Sequence, residues 1–122
     1  MDRKHPYDRN HGRFRVAACA DVTGSEVLLY HQIHDISEGG MRYSAASPDP
    51  IGSEVEVLLT FPRTESEVPV KAEVVWVSPD EEDRMVGLRW KDLSPAERLY
   101  LRKQIVASMT ALVTDVDGDY AA

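Results

Sequence analysis

The chain has one cysteine, no long apolar run and no excess of basic charge. Cys19 cannot form an internal disulfide, and its isolation fits a reducing cytoplasm. No apolar run approaches the roughly 18 residues of a transmembrane helix, and no charged-then-apolar leader opens the chain, so we expect neither membrane insertion nor export. The 122 residues, 43% of them hydrophobic, are enough for one domain with a modest core. We therefore expect a single cytoplasmic domain.

Basic charge is scarce overall but concentrated at the start of the chain. The net charge of −7 argues against DNA or RNA as a partner, because nucleic-acid binding needs a basic face to neutralise phosphates. Residues 1–15 nevertheless carry five basic and two acidic side chains, a net of +3, whereas the remainder carries nine basic and nineteen acidic ones, a net of −10. Such an arm is either a tail that lies on its own domain or a clamp for a small anion.

Signals for catalysis are also missing. His31 and His34 lie three residues apart on one predicted strand, which puts them on opposite faces and keeps them from sharing a metal ion. There is no Gly-x-Ser-x-Gly turn and no glycine loop of the phosphate-binding kind before a helix. We expect no enzyme activity, no catalytic residue, no metal and no cofactor.

Alternating apolar and polar residues, separated by Gly, Pro and Asp turns, predict strands over most of the chain. The six predicted strands cover residues 14–22, 27–37, 41–45, 54–61, 68–77 and 84–90. Ser94, Pro95 and Glu97 then form a helix start, with a cap, a first-turn proline and a capping-box glutamate. The helix should run from about residue 95 to about residue 109 or 112. The pattern indicates an all-β domain with a terminal helix, arranged as a small antiparallel six-stranded barrel.

We expect three segments along the chain. Residues 1–13 form a flexible basic arm, residues 14–112 form the barrel with its C-terminal helix, and residues 113–122 form an acidic tail. The apolar stripe of the helix contains Leu101, Ile105, Met109 and Leu112 and is widened by Leu99 and Val106.

The stretch from Asp35 to Gly40 combines short polar side chains with two glycines. On a strand, Asp35 and Ser37 share one face while Ile36 points to the other. Gly39 and Gly40 permit positive φ and leave room for a flat ligand near the main chain. By itself the stretch is also typical of a strand end followed by a turn.

The arm supplies a second motif, since Arg9 and Arg13 are four residues apart. Arg-x-x-x-Arg followed by Asp-x-Ser-x-x-Gly resembles the PilZ domain family, bacterial receptors for the second messenger cyclic di-GMP. Similar features follow in order at Gly52 and at residues 74–76, 87–90 and 93–97. The resemblance covers about residues 9–107 and implies that the barrel is a PilZ-like split barrel.

The residue types suit this ligand, which has two phosphates and two guanines. An arginine fork pairs with phosphate oxygens or with guanine O6 and N7, and it stacks on bases. The resemblance implies that Arg9 and Arg13 do this. A carboxylate at Asp35 accepts from guanine N1–H and the N2 amine, and the Ser37 hydroxyl donates or accepts beside it. A side chain at Gly40 would collide with the base.

The resemblance makes Arg9, Arg13, Asp35, Ser37, Gly39 and Gly40 the expected ligand-binding residues. Arg15 is a supplementary phosphate contact or an ordinary surface residue. We expect Trp76 and Trp90 in the core rather than in a stacking platform, with the edge of a site as the alternative for one of them.

Two hypotheses follow. In the first, a stand-alone PilZ domain binds cyclic di-GMP, its arm becomes ordered, and the change is passed to a protein partner. In the second, an adaptor of the same fold does not bind the nucleotide and works through protein–protein contacts, with the apolar helix as the contact face. That helix is also where we expect a homodimer to form.

Overall fold

A computed structural model of the protein describes residues 13–80, 82 and 84–113, without the side chains of 111–113. Within these ranges the chain forms nine strands, one short 3₁₀ turn (Pro62–Thr64) and one α-helix, α1 (Pro95–Ser108). The strands are β1 (Arg13–Val16), β2 (Cys19–Thr23), β3 (Val27–Gln32), β4 (Asp35–Ile36), β5 (Gly40–Ser44), β6 (Glu54–Phe61), β7 (Ser66–Val77), β8 (Met85–Lys91) and β9 (Met109–Val113).

The nine strands of the described ranges pair in the order β3-β2-β6-β7-β8-β5-β4-β1-β9, and every pairing is antiparallel. The predicted β-rich domain with a C-terminal helix is confirmed. The predicted six-stranded barrel is wrong, because the strands form one open sheet of nine.

Three local changes turn six predicted strands into nine. The predicted strand over residues 14–22 breaks at residues 17 and 18, where the Ala17 amide donates to the Ser108 carbonyl at 2.9 Å. The predicted strand over residues 27–37 breaks at residues 33 and 34, ahead of the two-residue β4. The helix ends at Ser108, and the residues after it pair with β1 as β9 instead of extending the helix.

The long hairpins β6–β7 and β7–β8 carry most of the core. Their inward side chains pack with those of β2, β4, β5 and the inner side of α1. The largest fully buried apolar side chains are Phe61, Ile36, Leu59, Leu88, Leu101 and Ile105.

Helix α1 begins as its sequence predicts. The Ser94 side chain accepts from the Glu97 amide at 3.1 Å, and the Glu97 carboxylate accepts from the Ser94 amide at 2.9 Å, which completes a capping box. Leu101 and Ile105 are buried, whereas Leu99 and Val106 are each 54% exposed. The predicted apolar stripe therefore divides into a buried side and an exposed side.

Most of the predicted arm and tail lies outside the described residues. Arg13, the last residue of the predicted arm, is the first residue of β1. The rest of the arm, including Arg9, lies outside the described residues, as does the tail after Val113. In the described part of the chain, no helix has the length and apolar character needed to cross a bilayer.

Candidate functional site

The candidate site lies where β4 runs between β1 and β5. Phe14 of β1 pairs with Ile36 of β4, and both side chains belong to the core. Strand alternation then directs the neighbours Arg13, Asp35 and Ser37 to the other side of the sheet. The break before β4 thus sets which residues of the Asp-x-Ser motif face Arg13.

A small depression on this side brings the two predicted motifs together. It is lined by Arg13, Asp35, Ser37, Gly39, Gly40 and Arg42. Residues that lie more than twenty positions apart in the sequence therefore share one surface. The depression has a volume of only about 10 Å³, room for about one water molecule. A nucleotide would therefore have to lie over this surface and not within it.

Asp35 is paired with a residue that the sequence analysis did not single out. The Arg42 Nε atom donates to Asp35 Oδ2 at 2.9 Å, and Arg42 Nη2 donates to the same oxygen. The side chains are 0% exposed for Asp35 and 4% exposed for Arg42. Asp35 Oδ1 accepts no hydrogen bond from the described residues. One carboxylate oxygen is thus occupied by Arg42, and the other remains as an acceptor.

The sequence did contain a signal for this pair. The β4–β5 hairpin aligns Asp35 with Arg42, and the Ser37 amide donates to the Gly40 carbonyl at 2.8 Å. A tight hairpin at residues 38 and 39 therefore places Asp35 and Arg42 opposite each other. Once the turn is known, the ion pair follows.

Ser37 shapes the loop as well as facing the depression. Its hydroxyl accepts from the Gly39 amide at 3.0 Å, and the residue is 5% exposed. Trp90 holds the same loop from β8: its indole Nε1 donates to the Ser37 carbonyl at 3.2 Å, and its amide donates to the Gly39 carbonyl at 2.9 Å. Trp90 is buried, in agreement with its predicted place in the core.

Gly40 is required by the sheet itself. A Cβ atom built at this position would lie 1.8 Å from the Leu88 carbonyl oxygen of β8. The predicted reason for a glycine was a collision with a bound base, whereas the structure supplies a backbone collision that needs no ligand. Neither Gly39 nor Gly40 has a positive φ. The positive φ that these glycines permit is therefore not used here.

The loop is also connected to α1. Arg98 Nη1 donates to the Glu38 carbonyl at 2.9 Å, and Arg102 Nη1 lies 3.4 Å from Glu38 Oε2. Arg98 binds the main chain between Ser37 and Gly39. A displacement of the loop would therefore move or break this hydrogen bond to the first turns of the helix.

Two further residues flank the depression along β8 and β7. Arg89 pairs in register with Gly40, is 49% exposed, and lies 3.8 Å from the Glu73 carboxylate. Trp76 pairs with Gly87 and is only partly buried. The sequence analysis assigned Trp76 to the core and passed over Arg89. Arg89 lies beside Gly40, and Trp76 lies across Gly87 from Arg42. Both positions depend on strand order, which no local pattern reveals.

Cys19, His31 and His34 are the other candidate residues that the structure describes. Burial, and secondarily Asp21, raises the pKa of the Cys19 thiol, which disfavours the nucleophilic thiolate. His31 and His34 line the same groove, so the prediction that they face opposite sides is wrong. The reason is that β3 ends at Gln32 and strand alternation does not continue to His34. Among the described residues no group of three His, Cys, Asp or Glu could hold a metal ion.

An antiparallel sheet with a terminal helix and a polar face of this composition defines a β-rich binding module. A family model described as the PilZ domain matches residues 7–108, and the chain belongs to the PilZ domain family. PilZ domains are generally cyclic di-GMP receptors that also bind partner proteins, and they are effector modules, not enzymes. The predicted family and the predicted lack of enzyme activity are confirmed.

Solved structures share this fold. The inhibitor of motility MotI/DgrA of Bacillus subtilis superposes with a TM-score of 0.67 at 17% identity, over 81% of this chain and 50% of its own. A tetrameric PilZ domain protein of Xanthomonas campestris, self-assembled through a helical bundle, gives a TM-score of 0.50 at 20% identity, over 59% of this chain and 44% of its own. The chain thus spans about half the length of these structures. Comparison with curated protein sequences finds no match.

Proposed function

We propose that this chain is a receptor for cyclic di-GMP in the bacterial cytoplasm and that it passes the bound state to a protein partner. The observation that carries the proposal is the shared depression, in which Arg13 of the first motif meets Asp35, Ser37 and Gly40 of the second. Family membership supports the same ligand. The ligand lies over the outer side of β1, β4 and β5.

Each residue has a role that fits its position. Arg9 and Arg13 bind phosphate oxygens and guanine edges with their planar forks. The Ser37 hydroxyl forms a hydrogen bond with the ligand, and Gly39 and Gly40 leave the main chain accessible to a base. Asp35 accepts from guanine through Oδ1 once ligand binding uncovers this buried atom, because Oδ2 is occupied by Arg42. Arg42 therefore positions Asp35 without touching the ligand.

Signal transfer uses the contact between the loop and the helix. A ligand that presses on Ser37 and Gly39 moves the Glu38 carbonyl, which Arg98 holds from α1. The exposed side of α1, with Leu99 and Val106, is then the face that the partner protein senses. The arm becomes ordered around the bound phosphates at the same time.

Isothermal titration calorimetry tests the proposal. Cyclic di-GMP should give a saturable heat with the wild type, and GMP should give none at the same concentration. Ser37→Ala and Arg13→Ala should each weaken binding by about tenfold or more, since each removes a polar or charged contact. Arg63→Ala is the matched control, because Arg63 is exposed and does not line the depression.

Circular dichroism of every variant separates lost binding from lost folding, which matters for the buried Arg13. The absence of any heat at high micromolar cyclic di-GMP, with a folded wild type, would overturn the proposal. Equal binding by the wild type and a folded Ser37→Ala variant would remove Ser37 from the site.

A second function, that of an adaptor that does not bind the nucleotide, is favoured by one observation. The Asp35 carboxylate is buried against Arg42, and the depression holds only about 10 Å³. Such an adaptor would act through α1, where Leu99 and Val106 are exposed, either on another protein or on a second copy of this chain. Analytical ultracentrifugation of the wild type and Val106→Glu would show whether the helix forms a dimer.

A further inference from the structure

A second, larger groove lies beside the candidate site. It has a volume of about 490 Å³, within the range of small-molecule sites. Its polar lining comes from Arg15, His31, Gln32, His34, Ser44 and Thr110. The groove forms where the strand pattern is interrupted, since β3 ends at Gln32 and β4 begins at Asp35.

The cationic side chain of this groove is available to a ligand. Arg15 is exposed, and within the described part of the chain its side chain makes no hydrogen bond or ion pair. It follows Arg13 by two residues on β1, so both project from the same side of the strand. The groove therefore continues the surface that carries the depression.

The histidines are held in place by their neighbours. The His31 ring packs edge-on against Tyr43, with centroids 5.4 Å apart and planes at 85°, and its Nε2 lies on the Ser44 carbonyl. His34 is 40% exposed, and its Nε2 is 3.8 Å from Asp35 Oδ2. The His31 N–H is thus directed at the Ser44 carbonyl, and both rings line the groove, where their ring protons would report a bound anion.

The charged residues that line this groove differ from those that line the other large groove. A groove of about 380 Å³ lies over β2, β6 and β7 and is lined by the carboxylates of Asp21 and Glu56 as well as by Lys71. No carboxylate is among the residues that line the Arg15 groove, in the ranges described. The Asp35 carboxylate, 3.8 Å from His34 Nε2, is buried and paired with Arg42. On a chain with a net charge of −7, the Arg15 groove is thus a local anion-attracting surface.

We propose that the Arg15 groove binds the phosphate group of a small phosphate ester. A guanidinium fork, the Gln32 side-chain amide and two hydroxyls offer several N–H and O–H donors around one cavity, which suits a group with three or four acceptor oxygens. The phosphate belongs either to the ligand that lies over the depression or to a separate molecule, and both share the same chemistry.

Proton NMR of the histidine ring protons tests the proposal with inorganic pyrophosphate as the probe. The His31 and His34 signals should shift in a saturable way when pyrophosphate is added to the full chain. This measurement needs no cyclic di-GMP, so it stands even where the proposed receptor function fails. Shifts that stay linear up to about 20 mM, the signature of weak non-specific binding above the millimolar range, would overturn the proposal.

Two variants make the result specific. Arg15→Ala should weaken pyrophosphate binding by about tenfold, because a charge-assisted contact is lost. Lys71→Ala is the matched control: it removes an exposed cation from the other groove and should leave the affinity unchanged. Equal effects of the two substitutions would overturn the proposal, since they would reveal a general charge effect.

A competition experiment identifies the source of the phosphate. Cyclic di-GMP is titrated into protein already saturated with pyrophosphate. Competition assigns the groove to a phosphate of the cyclic dinucleotide itself, and additive binding assigns it to a separate phosphate ester. Both results support the phosphate site.

Discussion

Asp35 and Arg42 form a buried ion pair across the β4–β5 hairpin, directly beneath the surface where the two sequence motifs meet. The Arg42 guanidinium donates twice to Asp35 Oδ2, and neither side chain is more than 4% exposed. A conspicuous motif aspartate therefore has a structural partner that belongs to neither motif. Its carboxylate is both a candidate ligand contact and part of the framework of the sheet.

Breaking this pair should destabilise the fold. Arg42→Met leaves the Asp35 carboxylate buried without its partner, and we expect the free energy of unfolding to fall by about 3–5 kcal/mol in urea titrations. The Asp35→Asn/Arg42→Met double variant removes both charges and should be more stable than Arg42→Met alone. Lys91→Met is the control, because it breaks the exposed Lys91–Glu54 pair and should hardly move the urea midpoint. Equal effects at residues 42 and 91 would contradict the prediction.

Gly40→Ala should fail for a reason unrelated to any ligand. The added methyl group meets the Leu88 carbonyl at 1.8 Å, so β5 and β8 must separate, at a cost of about 3 kcal/mol or more. Gly52→Asn is the control, since Gly52 has open space around it and a φ of +98°, and it should cost about 1 kcal/mol. Thermal and urea unfolding measure both. A Gly40→Ala protein as stable as the wild type would leave ligand contact as the reason for the glycine.

The Tyr43 hydroxyl should ionise only at high pH. Burial, followed by the charge of Asp49, raises the pKa of its hydroxyl from 10.0 to about 12. The folded chain keeps this proton while the unfolded chain loses it. The stability contributed by the neutral phenol is thus complete below about pH 10 and is lost as the pH rises to about 12.

The tyrosinate absorbance of the wild type and Tyr43→Phe gives the Tyr43 titration by difference. Asp49→Asn should lower the Tyr43 pKa, because it removes the secondary cause. Tyr30→Phe is the control for an exposed ring, 77% accessible. A Tyr43 titration at the ordinary value would show that its burial in solution is incomplete.

Arg98 should protect the loop that joins β4 to β5. Its bond to the Glu38 carbonyl fixes the main chain beside Gly39. In Arg98→Ala we expect the Gly39 amide to exchange with solvent roughly three- to tenfold faster, the value of one hydrogen bond. Arg102→Ala is the control, because the Arg102 side chain is 62% exposed and its pair with Glu38 is weakly held. The same exchange rate in Arg98→Ala and the wild type would remove the proposed link between loop and helix.

Strand positions and the helix start could be predicted from the sequence alone. Alternation located the strands around residues 54–61 and 84–90 to within a residue or so, and the capping box at Ser94 set the start of the helix. It also supplied the two motifs that identified the family. These signals depend on residues that are close along the chain, so they survive without knowledge of what packs against them.

The strand breaks and the long-range contacts depend on tertiary packing. The breaks at residues 17 and 33, the ninth strand beside β1, and the Gly40–Leu88 contact all depend on which segments become neighbours. So does the shared groove of His31 and His34. Backbone groups are satisfied by whichever distant segment buries them best, and a local pattern does not encode that choice.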